Sequence, residues 1–270
     1  MKIILTLIVV CMFNYATSQP KLQKLWETDS VVAIPESVLA IDGKLYVSLI
    51  DGGPWDADGK GGIALLGADG QNYKADWVTG LSAPKGMGQR GNRLYVADLS
   101  DVVVIDVGKG QVEKKIAIEG ATGLNDITID NKGVVYVSDS RNAKIWKIEN
   151  DAATLFLDDM KGVNGLRAVD DGLVIAYGKS LAKASADKKI TPIADLPEGG
   201  DGIEPIGNGD YLVSAWPGYI WYVYADGRVV SLLETHQQKI NTADIGYDPV
   251  KKIVYVPTFF AKTVAAYQLK

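Results

Sequence analysis

The sequence predicts an all-β protein, a six-bladed β-propeller with four-stranded blades whose ring is closed by an N-terminal strand. Three observations lead there: a sixfold repeat with a period near 40 residues, hairpin signals inside each repeat, and no segment with a helical period sustained over three turns.

The repeat is found by stacking segments that read polar turn, apolar strand, short turn, strand. Taking Glu36, Lys85, Asn125, Asn164, Asp201 and Thr242 as equivalent points gives spacings of 49, 40, 39, 37 and 41 residues, the period of a four-stranded blade. Within a repeat, runs such as Lys44-Leu45-Tyr46-Val47-Ser48 and Val134-Val135-Tyr136-Val137-Ser138 follow turns of the Asp-Gly or Asn-Lys-Gly kind, the mark of a hairpin. A ring left open would expose strand edges. The run Leu22 to Glu27 is therefore expected to supply the outer strand of the blade built from residues 242–270. The first repeat carries about nine extra residues, in the Gly-rich stretch 51–62. Strand alternation places that loop on the same face as Glu36, and function commonly resides on such loops.

Residues 1–18 differ in kind from the rest. Lys2 precedes an almost unbroken apolar run from Ile3 to Phe13, and Ala16-Thr17-Ser18 supplies small residues before Gln19, which reads as a cleavable secretory signal. The run is short for a membrane span, and no later stretch approaches the ~20 apolar residues such a span needs. The expectation is an exported protein, periplasmic or secreted, with one propeller domain over 19–270 and no membrane insertion. Cys11 lies inside the apolar run, preceded by Val10 where a lipid-attachment signal prefers a small residue. It is the only cysteine, so the mature chain has no disulfide and holds together by packing. Apolar residues make up 47% of the chain against 23% charged, enough to build a core. The net charge is −5, or −6 once Lys2 is removed with the leader, and no long basic run supports nucleic-acid binding. Self-association leaves no mark in the sequence.

The chemistry is narrowed first by what is missing. There is no G-x-S-x-G elbow and no phosphate-binding loop, and the sole histidine, His236, has no partners for a zinc cluster and reads as a surface or blade-packing residue. What is present is a set of polar residues at one equivalent point of successive repeats, Glu36, Lys85, Asn125 with Asp126, Asn164 and Asp201, which a ring brings toward its axis. Glu36, Asn125, Asn164 and Asp201 are hard oxygen donors suited to calcium, magnesium or manganese. Each alone is also the residue type that ties down turn backbone. Trp55, Tyr177, Trp216, Tyr219, Phe259 and Phe260 fall near the ends of second strands and are candidates for the wall of a small-ligand pocket or for packing between blades. Lys85 and Glu204 are candidate charges at its mouth. The segment Asp56-Ala57-Asp58-Gly59 hints at a calcium loop but lacks the remaining ligands of one.

The order Glu36, Asn125-Asp126, Asn164-Gly165-Leu166 and Asp201-Gly202-Ile203, at blade spacing over all six repeats, resembles the gluconolactonase and senescence-marker-protein (regucalcin-like) family. That resemblance implies a divalent metal on Glu36, Asn164 and Asp201, calcium first with magnesium, manganese or zinc as alternatives. It implies contact of Asn125 with substrate or a metal-bound water, and hydrolysis of a lactone or related ester. One departure is plain: where sugar-lactone members tend to carry an arginine two residues before the third-blade asparagine, this chain has Gly123. The expectation is thus a metal-dependent hydrolase of a lactone or small ester, with Asp201 and Asn125 as catalytic residues and Asn125, Lys85, Trp55, Trp216 and Tyr177 around a small-molecule substrate. The rival is a non-catalytic propeller that binds a small ligand or a partner protein around a structural calcium.

Overall fold

A computed structural model describes residues 19–270, so the leader and the Cys11 reading lie outside the described residues. Six four-stranded antiparallel sheets form a propeller. Five blades are continuous in sequence: β2 to β5 (Pro35–Ile41, Lys44–Leu49, Gly61–Gly67, Lys74–Leu81), β6 to β9 (Pro84–Arg90, Arg93–Asp98, Asp101–Asp106, Gln111–Ala117), and β10 to β13 (Leu124–Ile129, Val135–Asp139, Lys144–Glu149, Ala152–Leu157). Then come β14 to β17 (Val163–Val169, Gly172–Tyr177, Ser180–Ala184, Ile190–Asp195) and β18 to β21 (Ile203–Gly207, Asp210–Ala215, Tyr219–Val223, Val229–Glu234). The sixth blade joins β22 to β24 (Gly246–Asp248, Ile253–Pro257, Val264–Leu269) to β1 (Leu22–Glu27) in the order β1-β24-β23-β22. The strand expected to close the ring therefore does so over the expected residues, pairing Leu22 with Leu269 and Glu27 with Ala265.

The hairpins form where the sequence lets the backbone turn left-handed. Asp42 and Gly43, at φ 50° and 76°, join β2 to β3, and Asn208 and Gly209, at 55° and 80°, join β18 to β19. Two successive positive φ values are the requirement of a turn that matches strand twist, and Asp-Gly and Asn-Gly meet it at least cost. Between blades the sheets stack face to face on branched aliphatic side chains. The joint between the last and first blades buries Val38, Val47, Ala64, Tyr255, Val264 and Ala266, with Trp26 of β1 packed against them and its ring 6.0 Å from that of Tyr255.

One irregularity repeats and sets up everything that follows. The pairing of inner and second strands shifts between Pro35 and Val38, Pro84 and Met87, Leu124 and Ile127, and Val163 and Leu166. Each shift holds two residues, Glu36-Ser37, Lys85-Gly86, Asn125-Asp126 and Asn164-Gly165, out of the ladder, as bulges do when they redirect a side chain. In three blades a second-strand serine takes up the freed N–H: Ser37 donates to Ser48 Oγ, Asp126 to Ser138 Oγ and Gly202 to Ser214 Oγ, each at 2.9 Å.

Candidate functional site

The bulges bring the polar residues to one mouth of the ring. Glu36, Lys85, Asn125, Asn164 and Asp201 line a single cavity of about 370 Å³, walled by Pro54 and Trp55 of the 51–62 loop on one side and by Trp216, Phe259 and Phe260 on the other. The loop thus lies on the face expected of it. A cleft of about 390 Å³ lies at the opposite ends of the inner strands, but it is made of hairpin surface such as Asp42, Lys44, Asp248 and Lys251. None of the buried polar groups of the axis lines it, so size does not select it as the site.

The floor of the cavity is acidic and buried. Glu36 and Asp201 are almost fully buried, and burial pushes both carboxyls well above the ordinary carboxylate range, against the pull of the Lys85 ammonium. The Asn164 side chain beside Asp201 favours its charged form. Asn125 Nδ2 donates to Ser140 Oγ at 3.1 Å, which fixes that side chain in the wall. Two buried oxygens facing this space have no hydrogen-bond partner, Glu36 Oε2 and Asn164 Oδ1. Buried polar atoms are nearly always satisfied, so a pair of free acceptors beside a second buried carboxylate, Asp201, marks a place for a cation or a donor. Among the described residues no three His, Cys, Asp or Glu side chains converge as a metal cluster. A divalent ion here would rest on the two carboxylates and the Asn164 amide oxygen, an all-oxygen set of the kind hard cations take.

Lys85 connects floor and rim. Its ammonium donates to Pro54 O at 2.7 Å and Ala83 O at 3.1 Å, and it lies 4.2 Å from the centre of the Trp55 ring. Burial lowers its pKa while Glu36 raises it. Arg141 also lies over Trp55, its guanidinium carbon 4.8 Å from the ring centre. A Cβ at residue 123 would sit 2.6 Å from Arg141 Cγ, so the glycine that departs from the resembled family's pattern is what makes room for this arginine at the mouth. Sequence reasoning missed Arg141 because the space it uses is created by a residue eighteen positions away.

Three more carboxylates stand behind the mouth. Asp126 accepts the N–H groups of Leu166 and Ile127, both at 2.6 Å, and so ties the third blade to the fourth. Asp244 accepts from Ser37 Oγ at 2.5 Å, and burial raises its pKa to about 6. Glu204 pairs with Arg167 at 3.0 Å, and burial raises it to about 7 despite that partner. Because Glu204 is ion-paired within the ring, it is not the mouth charge expected of it. In the sixth repeat the equivalent point also moves by one residue. Gly246 lies opposite Tyr255 as Leu39 lies opposite Tyr46, which makes Ala243 rather than Thr242 the counterpart of Glu36 and Asp244 the counterpart of Ser37.

Two aromatic candidates stand elsewhere. Tyr177, the fourth-blade rim candidate, pairs with Val163 and Ser180 and packs against the Phe156, Leu157, Met160 and Leu166 cluster instead of lining the cavity. Strand alternation turns it into the joint between blades. Tyr219 stacks on Trp221 and on His236, whose ring centre is 4.5 Å away, so the lone histidine is a packing residue of the kind expected.

These raised carboxyls have a measurable consequence. Glu204 binds its proton more tightly folded than unfolded, so its contribution to stability is present at low pH and is lost as pH rises from the ordinary carboxylate range through about 7. The metal-free protein should therefore lose melting temperature between about pH 5 and 8, and Glu204→Gln should flatten that slope. A variant with an unchanged slope would place the dependence on other groups.

Fold and site together define a six-bladed propeller with an axial cavity floored by buried oxygen donors and rimmed by aromatics. Among solved structures the chain is similar to a catalytically inactive virginiamycin B lyase from Staphylococcus aureus with quinupristin, at 14% identity and TM-score 0.66 over 93% of this chain and 100% of that one. A streptogramin B lyase is similar at 13% identity and TM-score 0.64 over 93% and 98%. A luciferin-regenerating enzyme is similar at 11% identity and TM-score 0.64 over 93% and 95%. At these identities the likeness is one of fold. No family model matches the sequence, and no curated protein is similar to it at the sequence level.

Proposed function

We propose that the protein is a divalent-metal-dependent hydrolase of a lactone or small ester, related to the gluconolactonase and senescence-marker proteins and exported by its leader. The observation that carries this reading is the pair of partnerless buried oxygens, Glu36 Oε2 and Asn164 Oδ1, in one cavity with Asp201. Glu36, Asn164 and Asp201 would hold the ion, with calcium a match to an all-oxygen set. When bound, such an ion supplies the Lewis acidity that makes water and an ester carbonyl reactive at neutral pH. The chain's own groups supply the rest. Asp201 takes the proton from the attacking water, Asn125 orients the substrate from the wall, and the aromatic rim excludes bulk water. Three enzymes share the fold, which is compatible with a catalytic role and names neither the site nor the substrate.

Lys85 favours a second reading. Its buried ammonium already places positive charge beside Glu36, so the same cavity suits a propeller that binds a small ligand without turnover. The two readings separate in one experiment: elemental analysis of purified protein, then a lactone and aryl-ester panel with and without a chelator. The hydrolase reading expects about one equivalent of divalent metal and turnover that chelation removes and metal restores. Bound metal with no turnover across the panel would favour the binder.

A further inference from the structure

The two walls of the cavity differ in chemistry. On the loop side Trp55 lies under Lys85 and Arg141, and that wall is cationic. On the other side Trp216, Phe259 and Phe260 make a connected aromatic group, with ring centres 5.6 Å apart for Trp216 and Phe259, 6.1 Å for Trp216 and Phe260, and 4.7 Å for the two phenylalanines. Phe259 is buried and anchors the group, whereas Trp216 and Phe260 remain 43% and 55% exposed although both are large and apolar.

That exposure is built into the backbone. Phe259 takes φ 50°, a region that bulky residues seldom occupy, and the single 3₁₀ turn from Phe259 to Ala261 follows from there. Asn241 Nδ2 holds the carbonyl of Trp216 at 2.9 Å from the neighbouring segment. Backbone strain and a side-chain tether that keep apolar rings at the edge of a cavity indicate a surface kept for a ligand. The cavity, at about 370 Å³, is the size of a small-molecule site rather than of a protein interface. This wall offers a ligand one side-chain hydrogen-bond donor, the Trp216 indole N–H. A substrate dense in hydroxyl groups would leave them unpaired against it.

We infer that the ligand carries an aromatic or other bulky apolar group that rests on Trp216 and Phe260, with its polar head over Glu36, Asn164 and Asp201. Resting on the hydrolase reading, this makes the preferred substrate an aryl-bearing lactone or ester and makes Trp216 and Phe260 specificity residues.

The test compares γ-butyrolactone with γ-phenyl-γ-butyrolactone on the calcium-loaded full mature chain, and the two matching lactams as ligands that are not cleaved. Wild type should favour the phenyl lactone in kcat/KM by about tenfold to a hundredfold. In Trp216→Ala and Phe260→Ala, whose side chains are exposed enough to leave folding intact, that preference should shrink at least severalfold, mainly through KM. An equal preference in wild type and variants would overturn the inference and leave the hydrolase reading standing. If no lactone is cleaved, the hydrolase reading falls by itself, and tryptophan fluorescence with the lactams decides the apolar subsite. Tighter binding of the phenyl lactam that Phe260→Ala weakens would uphold it; equal binding of the two lactams, or none, would refute it.

Discussion

If Asp201 holds the proposed ion, calcium should raise the melting temperature of the wild-type protein, and Asp201→Asn should abolish that rise and lower kcat/KM for any lactone or ester the protein cleaves by about 10²–10³-fold, the cost of losing one buried electrostatic group at a reacting centre. The same change should leave the metal-free protein at least as stable as wild type. Asp201 is buried with Glu36 and near Asp244, its pKa is pushed up by burial and by Asp244, and only Asn164 and Lys85 oppose that push. A neutral amide of the same shape relieves the crowding of acids while keeping an acceptor for Asn164. The backbone there is held by the Asp201 N–H to Ser214 O at 2.7 Å, which the substitution does not touch. Loss of function with no loss of apo stability separates a site residue from a structural one. A variant that kept both the calcium response and turnover would remove Asp201 from the site.

The second large effect is on stability. A mature chain starting at Asp29 lacks β1, and with it the pairing to β24 and the Trp26 ring in the joint between the last and first blades. Removing a large aromatic from such a joint alone costs about 3–5 kcal/mol. For a chain of this size each kcal/mol is worth about 2–4 °C. The truncated protein should melt roughly 6–20 °C below one starting at Gln19, and the newly bared edge of β24 should promote association. Equal melting temperatures would mean that the ring does not depend on its N-terminal strand.

Much of this is legible in the amino-acid sequence. The blade period, the hairpin dipeptides and the closing strand at Leu22 to Glu27 are local or repetitive signals, and each appears at the expected residues. Glu36, Lys85, Asn125, Asn164 and Asp201 converge because a ring carries equivalent positions to its axis, so one alignment was enough to gather them. What failed depended on direction. Tyr177 occupies a strand end like other rim candidates but points into a blade joint. Glu204 lies three residues beyond Asp201 and faces Arg167 within the ring. Thr242 was misaligned because the sixth repeat is offset by one residue, which hid Asp244 among the axial acids. Arg141 reaches the mouth only because Gly123 lacks a side chain. The serines that satisfy the bulges, Ser48, Ser138 and Ser214, were visible in the sequence at matching positions, yet their role needed the register of the strands.

The proposed function requires Glu36, Asn164 and Asp201 to hold one divalent cation at the mouth of the propeller. Crystals grown with manganese and measured at a wavelength where manganese scatters anomalously address it directly. A single axial peak is expected within about 2–2.6 Å of oxygens from all three side chains. A cavity with no such peak at saturating manganese, or a peak bound away from these residues, would contradict it.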